Sequence, residues 1–256
     1  MAWCGNLFTL LIKPVIYFFN QPSLLRHVRD ILPRTFNNNL LKFEPEYADD
    51  SDRLGSILRE SKKYATVFIS IEAKVWNQDH NKITDIGLST WYTGSFDPGR
   101  YSHYWQVKDN LSLRNECTAN EPDTFMFGST GLVEEGADIA LILDAMFKSL
   151  ISQPQRVAIV GHDVHSTIGL LKTYWEPPGS IMILDTQRIW QVQYGRVDKV
   201  TLEDALDMTL GAVYNKCWLH NAGNDARFIL NLLEAQGGLI LRAQNDVGLD
   251  FEHVLR

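Results

Sequence analysis

The sequence predicts an α/β protein with a mixed five-stranded sheet, its second strand antiparallel, and helices on both faces. Three observations carry this. Residues 65–72 (ATVFISIE) are a run of β-branched and aromatic residues, apolar on both faces, as a fully buried central strand requires. A polar turn at residues 77–81 and a second apolar-patterned stretch follow at hairpin spacing. Beyond residue 130, helical periodicities alternate with short apolar strands.

In chain order, residues 1–60 read as a partly helical N-terminal extension and residues 61–256 as the α/β domain. Residues 7–19 are nearly all apolar but broken by Lys13-Pro14, too short for a membrane-spanning helix and without a secretory cleavage pattern. This stretch is expected to pack on the domain, with a homodimer contact through the extension as the alternative. Residues 22–32 read as a short helix closed by Pro33, and residues 44–52 as loop. Ser51 or Asp52 then caps a helix bearing Leu54, Ile57 and Leu58. The hairpin partner runs over residues 82–91 and a third strand over 102–108, followed by a polar loop at 110–130. A largely buried helix is expected over 133–151, strands over 156–160 and 180–184, and helices to Leu171, over 202–210 and over 221–235. Gly237-Gly238 is read as the stop of the last helix.

The net charge of −7 and the lack of a long Lys/Arg block argue against a sequence-independent grip on nucleic acid. Three widely spaced cysteines form neither a disulfide framework nor a CxxC metal pattern, which points to a reducing compartment. The chain is therefore read as intracellular, cytoplasmic or nuclear.

Chemistry gathers at two places. Glu72 ends the central strand, where an α/β protein puts its functional groups; the plainer alternative is an acid leaving the core as the strand ends. His220 precedes a helix and Asp225 lies within its first turns, so both can face one point; the helix dipole alone would also favour an acid there.

Taken together, these segments resemble the DEDDh 3′–5′ exonucleases, which have a ribonuclease H-like fold. His220-x-Ala222-x-x-Asp225-Ala226 matches their third motif, and Gly161-His162-Asp163-Val164-x-x-Thr167-Ile168-x-x-Leu171 looks like the second. Leu184-Asp185-Thr186-Gln187 resembles the segment that follows it. Ile69-Ser70-Ile71-Glu72, with Lys82-Ile83-Thr84-Asp85-Ile86-Gly87, resembles the first motif and its hairpin partner, so that the likeness covers about residues 64–240. His103 to Lys108, with Phe125-Met126-Phe127-Gly128-Ser129, looks like a fungal branch that includes an mRNA-export-associated protein and an Argonaute-interacting exonuclease-domain protein.

The resemblance implies two divalent cations held between four carboxylates, with a His as general base. Carried over by position, Glu72 and Asp225 are metal ligands and His220 is the base. Two motif acids are replaced, the first by Ser70 and the second by Thr167. Mg²⁺ or Mn²⁺ is then expected to bind weakly at best, since hard cations want carboxylate oxygens and half of them are gone. Asp163 is the first substitute ligand to consider, with Asp185 and Asp144 behind it; helix capping and ordinary hydrogen bonding are their plainer roles. Replacing Ser70 and Thr167 by Asp is expected to restore part of the metal binding. The expected function is a degenerate DEDDh module with little or no nuclease activity that binds nucleic acid, RNA before DNA, or a protein of an RNA-processing complex. The alternatives are an active 3′–5′ exonuclease with a rearranged metal site, and a scaffold in an RNA-silencing or mRNA-export assembly. Tyr92, Tyr101, Trp105 and Tyr174 are candidates for stacking on bases, or else core residues.

Overall fold

A computed structural model describes residues 45–93, 100–113, 115, 125–211 and 216–254. The expectations for residues 7–19 and 22–32, including the homodimer contact, lie outside the described residues. Residues 66–76 alternate Val67, Ile69, Ile71 and Ala73 on one side with Phe68, Ser70, Glu72 and Lys74 on the other. They form the central strand β1 (Thr66–Trp76). Asn77-Gln78 turns the chain into β2 (Asp79–Tyr92), antiparallel to β1. Then come β3 (Arg100–Val107), β4 (Thr130–Val133), β5 (Arg156–Gly161) and β6 (Met182–Asp185). The sheet has six strands in the order β4-β3-β2-β1-β5-β6, and β2 alone runs against the others.

The extra strand is β4, which corrects the expected count of five. Residues 130–133 pair in parallel with β3, Val133 opposite Val107. The helix expected from residue 133 therefore begins only at Ala137, as α2 (Ala137–Ile151), after Gly136 turns the chain at φ +81. Helical periodicity had absorbed an apolar strand residue lying just upstream.

Two helical layers cover the sheet. On one face Val67, Ile69 and Ile71 pack with Ile139, Leu143 and Phe147 of α2 and with Val164 and Leu171 of α3 (Val164–Leu171). On the other face Phe68, Trp91 and Val160 pack with α1 (Pro45–Arg59), α4 (Thr186–Tyr194) and α6 (Ala222–Val254). Helix α5 (Leu202–Leu210) joins a satellite cluster with Trp190 and Phe228. Helix α1 starts at Pro45, inside the expected loop, because proline fits the first helical turn. Its Leu54 and Ile57 are buried in the cluster with Ile229 and Leu233 of α6.

Gly237-Gly238 does not end α6. A Cβ at Gly237 would stand 2.2 Å from Leu58 Cδ1, and one at Gly55 would stand 2.9 Å from Ile240 Cγ2. These glycines bring α1 and α6 together, so they mark a helix crossing rather than a cap. Among the described residues, no helix is long and apolar enough to cross a membrane.

Candidate functional site

The site lies on the α6 face of the sheet. Strand alternation places Ser70, Glu72 and Lys74 in a row, and the hairpin register sets Glu72 opposite Gly87 and Lys74 opposite Asp85. The register breaks just after Lys74, a bulge that turns the strand at this point. Gly87 lets the helix in: a Cβ there would stand 1.9 Å from the Ala222 carbonyl oxygen. The N-terminus of α6 thus lies directly on the sheet, and Asp225 comes down beside β1.

Local hydrogen bonds fix that N-terminus. Asn221 caps it, its Oδ1 accepting from the Asn224 N–H at 3.1 Å. The Ala222 N–H donates to Asp85 Oδ1 at 3.1 Å, tying helix to hairpin. The His220 N–H donates to Asp225 Oδ1 at 3.0 Å, with His220 itself in the left-handed region at φ +70. The His220 side chain is exposed, while Asp225 is buried.

Lys74 joins the acids. Its Nζ lies 2.6 Å from Asp225 Oδ2 and 3.2 Å from Glu72 Oε1. Burial works against the ammonium, but Asp225 and then Glu72 outweigh it and hold the lysine above its ordinary range. Burial pushes the Glu72 carboxyl up, with Lys74 pulling it back down. Burial also raises Asp85, against hydrogen bonds from Thr84 and the Ala222 amide. Glu72 Oε2 and Ser70 Oγ are buried without a hydrogen-bond partner.

Asp163, Asp185, Asp144 and His162 have partners of their own. Thr167 is buried on α3, which packs on the opposite face of the sheet from α6. Asp163 precedes α3 with φ +60, and its carboxylate pairs with Lys199 at 2.8 Å. Asp185 accepts from the amides of Asp163, Val164 and Gln187 at 3.0, 3.2 and 2.9 Å, capping two helices at once. Asp144 is an exposed partner of Lys148 one helical turn away. His162 bridges the Val200 carbonyl and the Thr186 hydroxyl, and His165 is exposed. Of the aromatics, Tyr101 is exposed, whereas Tyr92, Trp105 and Tyr174 pack against the core.

A family model for the DNA polymerase III subunit epsilon-like, C-terminal domain (DEDDh_C) matches residues 67–235 of the 256. The chain belongs to this family. Over 168 residues it is also 28% identical to an uncharacterized nucleolar protein of Schizosaccharomyces pombe, a match that takes in 63% of this chain. The chain spans 65% of that relative's length.

Against the two-metal centre that DEDDh chemistry implies, the donor set does not fit. Ser70 and Thr167 offer hydroxyls, and an ammonium already lies within contact of both remaining acids. Among the described residues no group of three or more His, Cys, Asp or Glu side chains is placed to hold a metal ion. Lys74 is the residue that sequence reasoning missed. Its signal was available: two residues after Glu72 on a strand means the same face, and the hairpin spacing sets it opposite Asp85.

Proposed function

We propose that this domain is a degenerate DEDDh exonuclease fold with little or no nuclease activity, used as an interaction module. The observation that carries the reading is the donor set. Hydrolysis by this family's chemistry needs clustered carboxylates, and here the two surviving acids, Glu72 and Asp225, are bridged by Lys74. With Asp85 beside them, one ammonium faces three acids. That balance disfavours a phosphate backbone in the cleft and favours a protein partner. A single-stranded RNA partner is the second reading, supported by the nucleolar setting in the relative's name.

The test is incubation of end-labelled single-stranded RNA and DNA with the protein in Mg²⁺ or Mn²⁺. The expected outcome is no shortening above that of a metal-chelated control. Metal-dependent shortening from the 3′ end, abolished by Asp225→Asn, would overturn the reading. A titration against labelled single strands at two salt concentrations then separates the partners. A strand held through its phosphates weakens steeply with salt, whereas a protein-binding module leaves the strands unbound in both.

A further inference from the structure

We infer that the Lys74 ammonium is the resident cation of this domain, holding Glu72 and Asp225 together, and that its removal uncovers a divalent-cation site between them. The inference rests on the non-hydrolytic reading above and extends it to why the acids persist at a centre that has lost the others.

The argument starts from position. Lys74 shares its strand face with Glu72 and stands opposite Asp85, and its nitrogen contacts Glu72 and Asp225, so three carboxylates face one ammonium. Asp225 cannot swing away, because its second oxygen is held by the His220 N–H. Asp85 is held likewise by the Ala222 N–H and the Thr84 hydroxyl. Asp225 and Asp85 are therefore fixed beside the ammonium by contacts of their own rather than gathered by it alone.

The unsatisfied groups point the same way. Glu72 Oε2 and, two residues back along the same strand face, the fully buried Ser70 Oγ lack hydrogen-bond partners. Both are hard oxygen donors, as are the carboxylates, and no thiol or imidazole contributes. Such a set suits Mn²⁺ or Mg²⁺, which take oxygen ligands at roughly 2.1 Å. An ammonium and a dication cannot share the position, since two cations at contact distance repel strongly away from bulk water. Lys74 thus excludes metal while it is present. Without it, Glu72, Asp225 and Asp85 repel one another, and a dication is the species that relieves them.

The experiment uses the full chain and Mn²⁺ as probe, with thermal melting in EDTA or Mn²⁺ and electron paramagnetic resonance to count bound ions. The wild type should melt at the same temperature in both and bind no stoichiometric Mn²⁺. Lys74→Ala should melt lower in EDTA, on the order of 10 °C for loss of one partner from a buried pair. It should bind one Mn²⁺ and regain melting temperature in proportion to log[Mn²⁺]. Lys74→Arg should behave as the wild type, and Lys74→Ala with Asp225→Asn should lose the response to Mn²⁺. If Lys74→Ala does not fold even in Mn²⁺, Lys74→Met, which keeps the aliphatic stem, takes its place. The inference is overturned if the wild type binds one Mn²⁺ with a raised melting temperature. It is overturned equally if the lysine variants ignore Mn²⁺. A wild type inert towards RNA together with metal-blind lysine variants would sink this inference and leave the proposed function standing.

Discussion

His220 takes part in the site through its backbone. Its backbone lies at φ +70 and its amide serves Asp225, but its side chain faces solvent. Glycine adopts that conformation without strain, so His220→Gly should leave stability unchanged or raise it by up to about 1 kcal/mol. A marked fall in melting temperature would show that the imidazole makes a contact the protein needs. Gly87 is the opposite case. Gly87→Ala drives a Cβ into the Ala222 carbonyl at 1.9 Å, backbone against sheet, and should cost at least about 3 kcal/mol in a urea melt. Gly169→Ala, where nothing lies within 4 Å of the new Cβ on α3, should be neutral or stabilising by about 0.5 kcal/mol. At this scale the sequence was legible in part. Glu72 and Asp225, which the structure brings together on Lys74, are local to motifs and stand out. The bridge through Lys74 is not local. It needs strand alternation, hairpin register and the docking of a helix about 150 residues downstream, all at once.

Elements were read well where their periodicity stood alone and poorly where packing overrode it. The buried β1, its hairpin with β2, and β5 and β6 follow from apolar runs bounded by turns. Strand β4 was hidden because Val133 also fits the helical stripe of α2, and only pairing with Val107 decides between them. The run of α6 through Gly237-Gly238 was hidden because the contact with Leu58 that requires Gly237 comes from another helix. Helix α1 is fastened to the sheet by a buried acid: Asp50 accepts from the Asp185 N–H at 3.1 Å, where β6 passes into α4. Burial pushes the Asp50 pKa from 3.8 up to about 6, against the pull of that amide. Between those values the folded chain keeps a proton that the unfolded chain has released. This contribution to stability is therefore greatest at acid pH and falls as pH rises from about 4 to about 6. Asp50→Asn keeps an acceptor for the amide and removes the charge. Its advantage over the wild type should be small at pH 4 and level off at about 3 kcal/mol above about pH 7, read from chemical denaturation across that range. A constant difference across the range would refute the assignment.

At the scale of the whole molecule, the chain has the DEDDh frame, with the Lys74 ammonium between Glu72 and Asp225 at its centre. The sheet and the caps at Asn221 and Asp185 are held by hydrogen bonds within the chain, away from the Lys74 contacts. On the proposed reading, Lys74 also decides what added acids would do. Ser70→Asp with Thr167→Asp returns two carboxylates, but the new acid at position 70 joins the strand face that already carries Lys74. The ammonium then gains another counter-charge instead of yielding its place to metal. Against the expectation from the motifs alone, the double variant should therefore melt at the same temperature in EDTA and in Mn²⁺. Adding Lys74→Ala removes the competing charge and leaves clustered acids that destabilise the chain without metal, so the triple variant should melt lower in EDTA and gain stability with Mn²⁺. Nuclease activity should appear, if at all, only in the triple variant. Even there it should be slow, because His220 faces solvent and catalysis needs its groups held to within about 0.5 Å. Melting of the double and triple variants in EDTA and Mn²⁺, with an end-labelled RNA assay beside it, decides the matter. A double variant that binds Mn²⁺ and cuts RNA with Lys74 in place would show that the ammonium moves aside, and that the lost acids alone silenced the site.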